Sequence, residues 1–128
     1  MNRTATALAI AFLTASFPSH AAKPTVGASI EGGLFLYREP VEIFWNDWIG
    51  FPIMKTSAER THQARMTVVG EGKTGEFIGN LSINCENGMH LWESAGKDLE
   101  FFSNEEQADQ IVPRMVISNA VRLLCKRN

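Results

Sequence analysis

The chain has 128 residues and a formal net charge of -2, with 45% hydrophobic and 20% charged side chains. That length suits one domain of roughly 100–150 residues and excludes a full (β/α)8 barrel or a doubly wound dinucleotide-binding sheet. A sequence pI near 5.9 with no basic block leaves no electropositive stripe for nucleic acid.

The N-terminus carries one cation, Arg3, then Thr4–Phe17 without a charge, then the small residues Ser19 and Ala21 around His20. A positive start, an apolar run and a small-residue site define a secretory signal peptide, with cleavage expected after Ala21. The run is shorter than the roughly 20 residues that cross hydrocarbon, and Pro18 ends it. No later run reaches that length. Residues 22–128 are therefore expected to form a single exported domain, periplasmic or extracellular, with no membrane insertion.

Within that domain, 22–33 reads as a flexible lead-in containing Pro24, Gly27 and Gly32-Gly33. Leu34–Trp45 is rich in strand formers and interrupted by Pro40, so it is two short strands or one edge strand with a bulge. Asn46-Asp47 reads as a turn, Phe51–Met54 as a short apolar segment, and Thr56–Gln63 as a helical turn or a loop. Met66–Val69 reads as a strand and Gly70–Gly75 as a flexible connection. Glu76–Glu86 is a longer strand in which Leu81, Ile83 and Cys85 alternate with Ser82, Asn84 and Glu86.

Asn87-Gly88 predicts a two-residue hairpin loop, because a type I′ turn needs positive φ at both central positions. That register sets Cys85 opposite His90 and Ile83 opposite Trp92, so Leu81, Ile83, Cys85, His90 and Trp92 share the core-facing side. Met89–Ser94 returns antiparallel, Ala95–Asp98 turns the chain, and Leu99–Phe102 adds a last short strand. The period then changes. Ser103-Asn104-Glu105-Glu106 has the form of a capping box, predicting a helix near Asn104–Gln110. Pro113 interrupts it and opens a second helix, on which Ile117, Val121, Leu124 and Cys125 form one apolar stripe. Lys126 and Arg127 suit the negative end of that helix dipole.

Cys85 and Cys125 are the two cysteines. In an oxidising compartment they permit one intramolecular disulfide; free thiols or an intermolecular link are the alternatives. The Cys-x-x-Cys spacing of a redox pair is absent. Closing a loop of about 40 residues would stabilise the fold by roughly 4 kcal/mol in the chain-entropy model. The predicted architecture is α+β: an antiparallel β-sheet meander with a C-terminal helix packed on one face and tied by the disulfide.

Ser82-Ile83-Asn84-Cys85 in the strand and Val121-Arg122-Leu123-Leu124-Cys125-Lys126 in the helix resemble the bacterial surface-adhesin E group, over roughly Met66–Lys126. The resemblance implies a small bacterial surface protein that binds host extracellular proteins. Its adhesin members resemble lipoproteins, whereas this chain has no acylation cysteine at the predicted cleavage site.

The sharpest chemical candidate is Cys85 with His90, a thiolate–imidazole pair or two ligands of a metal site if the cysteine is free, with a disulfide cysteine beside a packed histidine as the alternative. His62 and His90 are the histidines beyond Ala21, and neither sits in a His-x-x-x-His pair, so no metal or cofactor is expected. Glu39, Glu42 and Asp47 read as a solvated rim, with paired carboxylates for glycoside hydrolysis as the alternative. Gly70–Gly75 lacks the phosphate-loop order and leads into a strand. Phe44–Phe51 holds the candidate binding patch, with Trp45, Trp48 and Phe51 as anchors; the alternative is that Trp45 and Phe51 fill the core. The functional expectation is a non-enzymatic exported module that binds another protein, such as a host factor or an envelope or secretion component. An inhibitor of a secreted hydrolase of the lysozyme type is the alternative, and a small enzyme using Cys85 and His90 is the third.

Overall fold

A computed structural model describes residues 22–54 and 63–125. The expected signal segment Met1–Ala21, Thr56–His62 of the polar stretch, and Lys126 and Arg127 lie outside the described residues. Seven strands follow one another as an antiparallel meander: β1 (Ser29–Ile30), β2 (Gly33–Val41), β3 (Phe44–Ile53), β4 (Gln63–Gly72), β5 (Gly75–Asn84), β6 (Met89–Lys97) and β7 (Glu100–Phe101). Two helices follow among the described residues, α1 (Glu106–Ile111) and α2 (Arg114–Cys125).

Period-two alternation makes one sheet face apolar. Ala64, Met66 and Val68 of β4 and Phe77, Leu81 and Ile83 of β5 are buried, while Arg65, Thr67, Ile78 and Ser82 between them are more exposed. Both helices cover the buried face, where Ala108, Val112, Val116 and Ala120 join Leu36, Trp48, Met66 and Trp92 in one core. Phe77 is central to it, with its ring centroid 5.4 Å from those of both Trp48 and Trp92. The indoles fit because glycines lie beneath them. A Cβ on Gly70 would come within 2.5 Å of the Trp48 ring, and one on Gly79 within 2.8 Å of the Trp92 ring. Gly70 is thus a strand residue rather than part of a flexible connection. β4 and β5 run on to Gly72 and Gly75, joined through Lys73-Thr74.

The first reversal in the aromatic region falls at Glu42-Ile43 and not at Asn46-Asp47, since Val41 pairs with Phe44 and β3 continues unbroken to Ile53. Asn46 has no turn role because its side chain is buried and bonded at both ends. Its Nδ2 donates to Glu39 Oε1 (3.0 Å) and Thr74 Oγ1 (2.7 Å), and its Oδ1 accepts from the Thr74 N–H (3.1 Å). β2 passes through Pro40, and its irregularity lies between Phe35 and Tyr37 instead.

The β5–β6 connection is also longer than predicted. Asn84 pairs with Met89, Ile83 with His90 and Leu81 with Trp92, which leaves Cys85–Gly88 as the loop. Two asparagines stabilise this wider turn: Asn84 Oδ1 accepts the Glu86 N–H and Asn87 Oδ1 the Met89 N–H, both at 2.9 Å. The register shift is even, so Leu81, Ile83, His90 and Trp92 keep a common face. Cys85, however, leaves the strand and no longer opposes His90.

The N-cap of α1 is Glu105, without a side-chain cap, and the reciprocal bonds expected of a capping box form just ahead of it between Asn104 and Gln107. Asn104 Oδ1 accepts the Gln107 N–H at 3.3 Å, and Gln107 Oε1 accepts those of Ser103 (3.0 Å) and Asn104 (3.4 Å). Val112 ends α1 in an extended conformation (ψ 124°), as expected before Pro113. On α2 the buried residues are Val116, Asn119 and Ala120, whereas Ile117, Val121, Leu124 and Cys125 are half-buried beside them. Asn119 explains the rotation of that stripe. Its buried Nδ2 donates to the Leu36 carbonyl at 2.7 Å, at the irregularity in β2. The end of the helix is fixed covalently by the Cys85–Cys125 disulfide.

Asn119→Leu would strand the Leu36 carbonyl in an apolar setting, with an expected loss of about 1–3 kcal/mol by urea denaturation. Cys125→Ser is expected to cost roughly 4 kcal/mol and to raise amide exchange in the last turn of α2. Calorimetry of the oxidised protein beside the variant measures the first effect, and hydrogen-exchange mass spectrometry the second.

Candidate functional site

The β2–β3, β4–β5 and β6–β7 turns lie at the same end of the meander. Apolar side chains project there: Ile43 is 84% exposed, Leu99 97%, and Phe44 and Phe101 are exposed beside them. Alternation along β3 divides the predicted patch. Asn46, Trp48 and Gly50 point into the core, whereas Trp45, Asp47 and Phe51 point to the opposite face. Trp48 is 3% exposed and belongs to the core, Trp45 is 38% exposed, and Phe51 is half-buried. The exposed residues of the segment are therefore Ile43 at the turn and Phe44 and Trp45, which leave β3 on opposite faces.

Charged neighbours hold these rings in place. The Arg38 guanidinium lies 4.4 Å above the Trp45 ring and binds Asp47 bidentately, Nε to Oδ1 at 2.7 Å and Nη2 to Oδ2 at 2.9 Å. The Asp47 hydrogen bond raises the proton affinity of Arg38 above its ordinary value; burial opposes this and the Asp47 charge adds to it. Lys73 Nζ sits 4.7 Å from the Phe44 ring. Three turn residues other than glycine are left-handed here: Glu42 (φ 57°), Asp98 (φ 50°) and Leu99 (φ 71°). A left-handed leucine costs roughly 1–2 kcal/mol, so Leu99 is held outward against its own preference.

Glu39, Glu42 and Asp47 do not converge. Glu39 Oε1 accepts from Asn46 and from the Trp48 indole (3.2 Å) on the core side, Glu42 is at the turn, and Asp47 is engaged by Arg38. Asp47, Glu71 and Glu76 instead form a cross-strand row of carboxylates.

A second polar group joins β6 to α1. Asp109 Oδ1 lies 2.8 Å from His90 Nε2 and accepts the Trp92 indole N–H at 2.9 Å. Beside it runs a groove of about 510 Å³, with His90, Asp109, Arg114, Ile117, Ser118 and Val121 on its walls. The Cys85–His90 pair is not formed, because Cys85 lies in the loop and its sulfur is bonded to Cys125. The side chain recorded against the His90 ring is the Asp109 carboxylate, and among the described residues no three His, Cys, Asp or Glu gather as metal ligands. His62 lies outside the described residues. No helix among them is long and apolar enough to cross a membrane.

Comparison with family models, with curated proteins and with solved structures finds no match to this chain. Sequence reasoning missed Ile43, Leu99 and Phe101 as surface residues and Asp109 and Arg114 as groove residues. The strand-rich run around Pro40 gave a signal for the first, had the turn been placed by strand length. Leu99 and Phe101 are set by the β6–β7 turn, and Asp109 and Arg114 reach one groove only through the packing of α1 on β6 and of α2 on β2, β3 and β4.

Asp109→Ala removes the acceptor of the buried Trp92 N–H, with an expected loss of about 1–3 kcal/mol and a shift in tryptophan emission. Asp109→Asn keeps an acceptor oxygen and is expected to lose less. Parallel thermal melts followed by fluorescence compare the two.

Proposed function

We propose that this chain is an exported, non-enzymatic protein-binding module that recognises its partner through the turn end of the sheet. The observation that carries it is the exposure of Ile43, Phe44 and Trp45 at a two-residue hairpin turn, with Leu99 and Phe101 exposed at the β6–β7 turn of the same end. Large apolar groups are normally withdrawn from water. Exposed aromatics held by a short turn and by cation–π contacts are the kind of anchor that carries interface energy. Export is supported by the disulfide, which persists in oxidising compartments, and by the signal-like N-terminus. The likeness to the surface-adhesin E group supports a host extracellular protein as the partner. An envelope or secretion component is the alternative source of the same surface.

The row formed by Asp47, Glu71 and Glu76 beside the tip favours a second reading, inhibition of a cationic secreted hydrolase of the lysozyme type. In that reading the narrow Glu42-Ile43 turn enters the active cleft.

Purified extracellular-matrix proteins and a lysozyme, each immobilised and titrated with the 22–128 protein, test both readings. Saturable binding, weakened about tenfold or more by Phe44→Ser with Trp45→Ala, is the expected result. Inhibition of lysozyme turnover abolished by Ile43→Asp would select the second reading. Unchanged binding by the folded double variant would remove the turn end as the recognition surface.

A further inference from the structure

The groove beside His90 is independent of the turn end and has its own chemistry. Its walls come from separate elements: the β5–β6 loop and β6 on one side, α1 and α2 on the other. The disulfide joins these walls, since Cys85 lies in that loop and Cys125 ends α2. Asp109, fixed by His90 and Trp92, holds α1 against β6. The groove is thus preformed, and its volume of about 510 Å³ lies within the roughly 300–1,000 Å³ range of small-molecule sites.

Its lining divides into an apolar and a charged part. Arg114, Ile117, Ser118 and Val121 recur at helical spacing along one face of α2, so the half-buried Ile117 and Val121 present an aliphatic wall. Val112, at the α1–α2 junction, extends it. Arg114 stands at one end of this wall with no ion-pair or hydrogen-bond partner among the described residues. Asp109, by contrast, already accepts two N–H groups through one oxygen. Arg114, exposed at the groove, is therefore the charged group of the lining left open to a ligand, and its planar fork suits a carboxylate. The Asp109 charge nearby disfavours a dianion such as a phosphate monoester.

We propose that this groove is a binding site for a small monocarboxylate with an aliphatic body, the carboxylate on Arg114 and the hydrocarbon along Ile117, Val121 and Val112. It uses none of the turn-end residues, so its failure would leave the protein-binding proposal standing, and the reverse also holds.

Four probes sharing one chain test it on the 22–128 protein: octanoate, octanol, octylammonium and octyl phosphate, each titrated by heteronuclear NMR. Octanoate is expected to give saturable shifts at the amides of residues 114–121 and at the His90 ring. Octanol and octyl phosphate are expected to bind about tenfold more weakly and octylammonium not at all. Arg114→Gln, a substitution at an exposed position, should weaken octanoate about tenfold while leaving octanol unchanged. Ile117→Ser should weaken both. Equal affinity for octanoate and octanol, preference for octylammonium, no effect of Arg114→Gln, or no shifts at all would each overturn the proposal.

Discussion

Without α2 laid across it, the aromatic core of this protein would be the open face of a sheet. A meander of hairpins forms from neighbours in sequence, but it buries only what it packs against. The helix supplies that cover through Val116 and Ala120, and two interactions of different kinds fix its position. One is the bond from Asn119 to the Leu36 carbonyl, which spans 83 residues of sequence. The other is the covalent link between Cys85 and Cys125. The first sets the rotation of the helix about its axis, because a buried amide tolerates no alternative partner. The second sets where its end lies relative to the β5–β6 loop. Hydrophobic burial drives the docking, yet by itself it would leave both variables loose.

These two anchors also determine which surfaces are left free. With Val116, Asn119 and Ala120 turned inward, Arg114, Ile117 and Val121 fall along the groove. With the helices committed to the core face and one margin of the sheet, nothing among the described residues packs over the turn end, where Ile43 and Leu99 project. The protein therefore presents two regions of opposite character. One is an end of exposed aromatic and aliphatic side chains, held by tight turns, one ion pair and cation–π contacts. The other is a concave slot between secondary elements.

The architecture was legible in the sequence because its main cues are periodic. Alternation in Glu76–Glu86, the shift to helical spacing after Ser103, and two cysteines on opposite sides of that shift suffice to give a meander, a helix and a bridge. Register was harder. Asn87-Gly88 carries the usual hairpin cue, but the side chains of Asn84 and Asn87 each found a backbone donor, and the loop widened. Asn46 likewise looked like a turn residue until its amide proved to be satisfied by Glu39 and Thr74 from other strands. The aromatic segment was misread for the same reason: placing Trp48 inside and Trp45 outside depends on where β2 ends, and no local pattern marks Glu42 as left-handed. Asp109 and Arg114 gave no signal at all. They line one groove only because separate elements pack side by side.

The margins of the sheet have a consequence of their own. Its outermost strands, β1 and β7, have two residues each, so most of β2 and of β6 borders no strand on one side among the described residues. Bare backbone of this kind is a template on which another copy can add, the first step toward fibres. Two details blunt it. Pro40 withholds a donor from the β2 margin, and the irregular register of β6 around Glu93, whose carboxylate is held by Arg65, interrupts a flat ladder. Addition of a further strand along these margins is thus opposed by a single pyrrolidine ring and one misaligned residue.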